Sequence, residues 1–370
     1  MRNKNTGKGR KILNLLPFAA AIIVFAGVRI GTAHPQLIEH YYSRGIYPRI
    51  AAFISLFSGA IPFSLWDLSW MTMIIVVLAG VLLVFLRKIT VPHFFLRFLQ
   101  MIAMLYAVFY ILWGYNYFRP EIGTRLGWQK VSPGEKAFRE ILDTLVAESN
   151  KNRVAISSSD YNSIENSLED SYRNNSRGLQ LKYPNGSRKP KTILVSSYFA
   201  KSGVSGYFGP FFNEVHLNEY QLPQDYPFNL AHEKAHQFGL ANEAEANLAA
   251  FIVCTSSSDM RLRYSGYLNV LIYFLDEARN LPDYHDFLRK LDRKVLKDLV
   301  NREEYYDRLR NKKLENIQAA ANNAYLKSQK IEKGIKNYNQ VVSLTINWYT
   351  YTGKIPFEPV PGYSNIAGKN

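Results

Sequence analysis

The chain has 370 residues, 47% hydrophobic and 20% charged, which allows two or three folding units and excludes a disordered or low-complexity protein. A single cysteine, Cys254, excludes an intramolecular disulfide framework and a cysteine-built zinc knuckle. The net charge of +15 would suit nucleic acid, anionic lipid or an acidic substrate.

A mean hydropathy of −0.17 hides an uneven distribution. Residues 12–28 carry no charge and follow Arg2, Lys4, Lys8, Arg10 and Lys11. Residues 71–86 form a second uncharged run and 98–118 a third. A bilayer core of ~30 Å takes ~20 apolar helical residues, so the three runs predict membrane-spanning helices at about 12–30, 66–86 and 97–118. Gly31-Thr32-Ala33 resembles a signal-peptide cleavage site, but the long apolar core and Arg29 favour an uncleaved anchor. Residues 46–64 include a short apolar stretch interrupted by Gly59 and Pro62, which reads as an outer interfacial segment.

The basic clusters before the first run and at Arg87, Lys88 and Arg97 place the N-terminus in the cytoplasm. Everything after residue 118 is then expected outside a bacterial cytoplasmic membrane. Residues 1–114 hold 11 Lys/Arg against two Asp/Glu, so most of the basic excess reports topology and anionic headgroups. A nucleic-acid partner is not expected; the lipid bilayer is.

In the outer region, helices are predicted at 133–149 and 160–172 and strands at 192–199 and 211–217. Helices follow at 227–239, 243–255, 260–277, 283–312, 314–330 and 336–349, and residues 353–370 read as a mobile tail. The predicted fold class is α+β, mostly helical, with a three-helix membrane anchor (1–118) before an outer domain (119–352).

The chemistry concentrates at His232-Glu233-Lys234-Ala235-His236, an HExxH motif. On a helix, spacing i, i+4 puts both imidazoles on one face, able to share one zinc ion, with Glu233 beside them as general base. Gly239 supplies a left-handed helix stop. Asn242 stands where a metzincin has its third histidine, which excludes that class. The third ligand is Glu243 or, as second choice, Glu245. Glu243 would lie ~10 Å along an unbroken helix, so it needs a chain reversal at 239–242, with Asn242 capping the next helix. His216 reads as structural and Cys254 as a core thiol.

The run from Glu243 to Asn247 resembles the ExxAD element of membrane-bound CAAX-prenyl and heat-shock metalloproteases. That resemblance makes Glu243 the ligand and Asn247, in the place of Asp, the hydrogen-bonding partner of a histidine.

More broadly, Tyr42-Ser43-Arg44-Gly45-Ile46-Tyr47, Pro62-Phe63-Ser64-Leu65, Trp113-Gly114-Tyr115-Asn116-Tyr117-Phe118-Arg119, Gly206-Tyr207-Phe208-Gly209-Pro210-Phe211, the HExxH run and Tyr325-Leu326-Lys327 carry a resemblance to one family. It is that of bacterial membrane proteins with domain of unknown function 3810. The segment 212–216 departs from the family's Thr-Gly-Glu-Ala there, with Glu214 matched. The resemblance implies a membrane-anchored HExxH zinc metallopeptidase and names no substrate.

The expected mechanism is gluzincin-like, in a zincin-like domain. One zinc ion on His232, His236 and Glu243 activates water, and Glu233 takes its proton to cleave a protein or peptide. The strand at 211–217 is a candidate edge for an extended substrate. Tyr325 and Tyr338 are candidate oxyanion stabilisers. Two rivals are a non-catalytic zincin-like scaffold at the cell envelope and a zinc hydrolase with a non-peptide substrate.

Overall fold

The computed structural model describes residues 4–128, 134–183, 188–329 and 340–353, with side chains from residue 13 onward. The described chain is mostly helical with one small sheet, and it divides into two compact units, Met1–Pro120 with Gly209–Glu214, and the remainder.

The first unit runs through α1 (Lys4–Ala33), α2 (Pro35–Leu37), a π-helical stretch (Ile38–Ile46), α3 (Tyr47–Ser58), α4 (Leu65–Phe85), α5 (Val91–Leu112) and a 3-10 turn (Gly114–Phe118). Leu13–Ala33, Leu65–Phe85 and Val91–Leu112 are each long and apolar enough to cross a membrane. α4 buries none of its 21 residues against protein. That much exposed Leu, Val and Ile is stable only in an apolar surrounding, which a bilayer provides. The interfacial prediction at 46–64 falls largely on α3.

The third span departs from the predicted 97–118. Arg97 does not end the helix, because its guanidinium bonds Gln100 and Asn14. At the other end, Asn116 donates to the Trp113 carbonyl and accepts from Ser43, diverting the chain into the 3-10 turn.

Segment Gly209–Glu214 is built into this unit by its polar side chains. Asn213, in the left-handed region at φ 53°, donates to Ser55 Oγ at 2.7 Å and to the Ala51 carbonyl. The Glu214 carboxylate accepts from the backbone N–H groups of Leu65 and Trp66. It thereby caps the positive end of α4.

The second unit holds α6 (Ile122–Leu126), α7 (Glu135–Asn152), α8 (Tyr161–Asn175), β1 (Lys191–Thr192), α9 (Ser196–Lys201) and all but one residue each of β2 (Gly206–Gly209) and β3 (Glu214–Leu217). It continues with α10 (Tyr226–Gln237), α11 (Glu243–Thr255), α12 (Met260–Ala278), α13 (Tyr284–Arg289), α14 (Arg293–Leu309), α15 (Lys312–Ser328) and α16 (Gln340–Thr352). α11 is the centre: Ala244–Thr255 is buried throughout, Cys254 included. Its sequence is apolar on every face after the first turn, as a central helix requires. α10, α12, α8 and α16 pack around it.

The sheet has order β1-β3-β2, with β1 parallel to β3 in the register Lys191↔His216 and Thr192↔Leu217. Two expectations fail here. The strand predicted at 192–199 stops at Thr192, because β3 ends at Leu217 and offers no partner beyond it. Leu194 and Val195 are left exposed and the chain turns into α9. The predicted edge strand at 211–217 is also wrong: β3 is the central strand, and β2 lies at the edge.

The helix predicted across 283–312 is broken by a tertiary contact. Asn150 on α7 donates to the Lys290 carbonyl and accepts from Asp292 N–H, separating α13 from α14. The predicted tail at 353–370 lies almost wholly outside the described residues.

Candidate metal centre

α10 and α11 are arranged by their caps. α10 ends in a Schellman motif: Leu240 N–H bonds the Ala235 carbonyl at 3.0 Å and Gly239 N–H bonds the His236 carbonyl at 2.9 Å. Gly239 sits at φ 87°, which a side chain would strain. Asn242 then accepts from the N–H groups of Ala244 and Glu245, starting α11. The reversal turns Glu243, first residue of α11, back onto the histidine face of α10.

The result is a close group. His232 Nε2 lies 3.1 Å from His236 Nε2 and 3.1 Å from Glu243 Oε2, and His236 Nε2 lies 3.3 Å from the same oxygen. Ligands held at ~2.0–2.1 Å by one tetrahedral ion stand ~3.3 Å apart, so the spacing fits a shared metal.

Both rings are turned to offer Nε2. His236 Nδ1 donates to the Leu240 carbonyl at 2.7 Å, an oxygen that can only accept. His232 Nδ1 bonds Asn247 Oδ1 at 2.8 Å, and Asn247 lies one turn after Glu243 on α11. Each neutral ring then points its Nε2 lone pair into the group, the tautomer metal ligation needs. Two lone pairs and a carboxylate at 3.1–3.3 Å repel unless a cation joins them.

Without a metal, a proton takes that part. Burial opposes a charged His236, but the Glu243 carboxylate outweighs it and raises the pKa to about 9. For Glu243, burial pushes up and the two histidines pull well below the usual carboxylate range.

Glu233 differs from all of these. It is buried, and its Oε2 has no hydrogen-bond partner among the described residues. Burial raises its pKa, opposed in part by His232 and His236. Burying a carboxylate oxygen without a partner is costly. β2 passes directly over it: a Cβ on Gly206 would come 3.0 Å from Glu233 Cγ and 2.8 Å from the His216 carbonyl. Glycine is what allows that approach.

The far side of α10 carries a different charge group. Lys234, 1% exposed, bonds Glu169 and the Arg188 carbonyl, and Arg188 and Tyr183 also bond Glu169. Burial alone would raise the Glu169 carboxyl, but Lys234 and Arg188 outweigh it and hold it at about 2. Tyr172 adds a bond to the Ala231 carbonyl, so α10 is pinned behind the histidines.

The other expected residues divide. Glu245 is not in the ligand group; its carboxylate accepts from Ile122 N–H and from Arg125, both at 2.7 Å. His216 is buried, stacks on Tyr207 and is not a ligand. Tyr325 is 42% exposed on α15. Tyr338 lies outside the described residues.

A residue the sequence did not single out is Tyr273 on α12. Burial raises its hydroxyl pKa, Arg302 opposes this and Glu243 adds to it, so Tyr273 lies within electrostatic reach of both. No local motif marks it; only packing of α12 on α11 brings it there.

No curated protein and no solved structure matches this chain. A family sequence model does match, across residues 42–346, and by that match the chain belongs to the family described as protein of unknown function (DUF3810).

Proposed function

We propose that this protein is a membrane-anchored zinc peptidase, with one ion held by His232, His236 and Glu243. Two imidazoles and one carboxylate form the donor set of catalytic zinc, which keeps a further position open for water or substrate. Bound there, zinc would supply Lewis acidity, acidifying water and polarising a carbonyl.

The protein's own residues supply the rest. Glu233 takes the proton of the attacking water and passes it to the leaving amine; its raised pKa suits a group that must accept and then release a proton. β2, at the sheet edge with Gly206 against Glu233, pairs with an extended peptide. Tyr273 joins Tyr325 and Tyr338 as a candidate to stabilise the developing oxyanion. Asn247 and the Leu240 carbonyl hold the histidine tautomers. The three apolar helices anchor the protein, with its N-terminus cytoplasmic and the second unit extracytoplasmic by the distribution of Lys and Arg.

The observation that carries this reading is the partnerless, buried Oε2 of Glu233 beside three convergent donor atoms. A purely structural metal site has no use for that carboxylate. The test is hydrolysis of a peptide library by the detergent-solubilised full chain. Wild type should cleave and Glu233→Gln should not, both carrying metal. Equal activity in the two, or a metal-loaded wild type that cleaves no peptide, would overturn it.

A further inference from the structure

The second unit holds a cavity of about 50 Å³. One water needs ~10–15 Å³ of such space, so it takes a few waters or the head of one short side chain. Ser205, Asn218, Gln221 and Asn229 line it together with Arg302 and Tyr306 of α14.

Two observations bring it beside Glu233. Ser205 immediately precedes Gly206, whose backbone lies against the Glu233 side chain. Asn229 stands on α10 four residues before Glu233, about one turn away on the same face.

Arg302 is fixed in a way that leaves it free to bind. Its Nε donates to both carboxylate oxygens of Asp225, at 2.9 and 3.0 Å. The Tyr306 hydroxyl donates to the same carboxylate at 2.8 Å, and the guanidinium lies 5.2 Å from the Tyr306 ring centre. Asp225 is 1% exposed and occupies the N-cap position of α10, so the anchor is rigid. Neither Nη1 nor Nη2 has a protein partner among the described residues. Most of the donors of the guanidinium fork are therefore unspent. A second guanidinium, Arg310, lies 5.5 Å from the same ring and lines the same cavity.

We propose that this cavity is a carboxylate-binding subsite, in which Arg302 takes an Asp or Glu side chain, or the terminal carboxylate, of a peptide running past Glu233. The inference rests on the peptidase reading and gives it a substrate class. A carboxylate matches two parallel N–H donors and fits the volume. A neutral amide of the same shape sets its own N–H against one of them, and a site built on donors discriminates strongly against that.

The test is binding of labelled, N-acetylated alanine hexapeptides to the zinc-supplemented full chain carrying Glu233→Gln, which prevents turnover. Each peptide bears one Asp, Glu, Asn or Gln with an amidated C-terminus; a further all-alanine pair differs only in a free or amidated C-terminus. At one position the acidic peptide, or in the last pair the free acid, should bind about tenfold tighter than its neutral counterpart. The all-alanine pair tells the side-chain source from the terminal one.

Adding Arg302→Lys should abolish the preference, and Arg310→Gln should weaken it by about twofold. If Arg302→Lys does not fold, phenylglyoxal labelling reads the same contact: saturating acidic peptide should slow modification of Arg302 by about fivefold. Absence of any carboxylate preference, or one that survives Arg302→Lys, overturns the subsite. A preserved preference in a protein whose wild type cleaves nothing would sink the peptidase reading alone. Cleavage without the preference would sink the subsite alone.

Discussion

Glu233 and Lys234 are neighbours on α10, both buried, and treated in opposite ways. Lys234 faces a closed group in which Glu169, Arg188 and Tyr183 share the charge. Glu233 faces the histidines with an oxygen that has no hydrogen-bond partner among the described residues. One side of the helix uses buried charge to hold the helix still; the other keeps buried charge available. The difference teaches which charges to read as architecture. The first turn of α11 repeats the lesson, with Glu245 tied to Arg125 and Ile122, and Glu243 turned to the ligand group.

The comparison can be broken most directly by exchanging roles. Glu233→Gln should lower peptide hydrolysis by ~10²–10⁴-fold, the usual contribution of a general base, in a steady-state assay. Its unfolding midpoint should stay level or rise, because an unpaired buried carboxyl is removed. Glu169→Gln should do the reverse. Leaving Lys234 and Arg188 without their anion costs about 3–5 kcal/mol, read as a lower urea midpoint for the full chain in detergent. A Glu169→Gln protein as stable as wild type would show that the two sides of α10 do not differ as described.

Smaller changes sharpen the contrast. Asn247→Ala frees the His232 ring and should weaken metal affinity by ~10–100-fold in competition with a chelator. Acid should reach the closed side last. The Glu169 pKa of about 2 lies below its unfolded value, so its stabilisation is present above about pH 4.5 and lost as pH falls towards 2. Circular dichroism across that window should show a smaller acid-induced loss in Glu169→Gln than in wild type.

Much of this site was legible because its signals are local. Helical spacing placed His232, Glu233 and His236, Gly239 announced the stop and Asn242 the restart, and each depends on residues within one or two turns. The spans were legible for a similar reason, an uninterrupted run of apolar side chains. What escaped depends on contacts distant in sequence. Thr192–Phe199 has the composition of a strand, but of it only Thr192 belongs to β1 and pairs with β3. The break between α13 and α14 is made by Asn150, some 140 residues earlier in the chain. Tyr273 and Arg302 sit in ordinary helical sequence, and only the packing of α12 and α14 brings them near Glu243 and Asp225. Among the chain's 25 tyrosines, composition gives no reason to choose Tyr273.

The account stands on Glu243 being a ligand and Glu245 a structural anion. Zinc stoichiometry of the purified full chain, measured by mass spectrometry of the metal after extensive dialysis, decides it. Wild type and Glu245→Gln should each retain one zinc per chain, and Glu243→Gln should lose it. Zinc missing from wild type, or retained by Glu243→Gln and lost from Glu245→Gln, would contradict it.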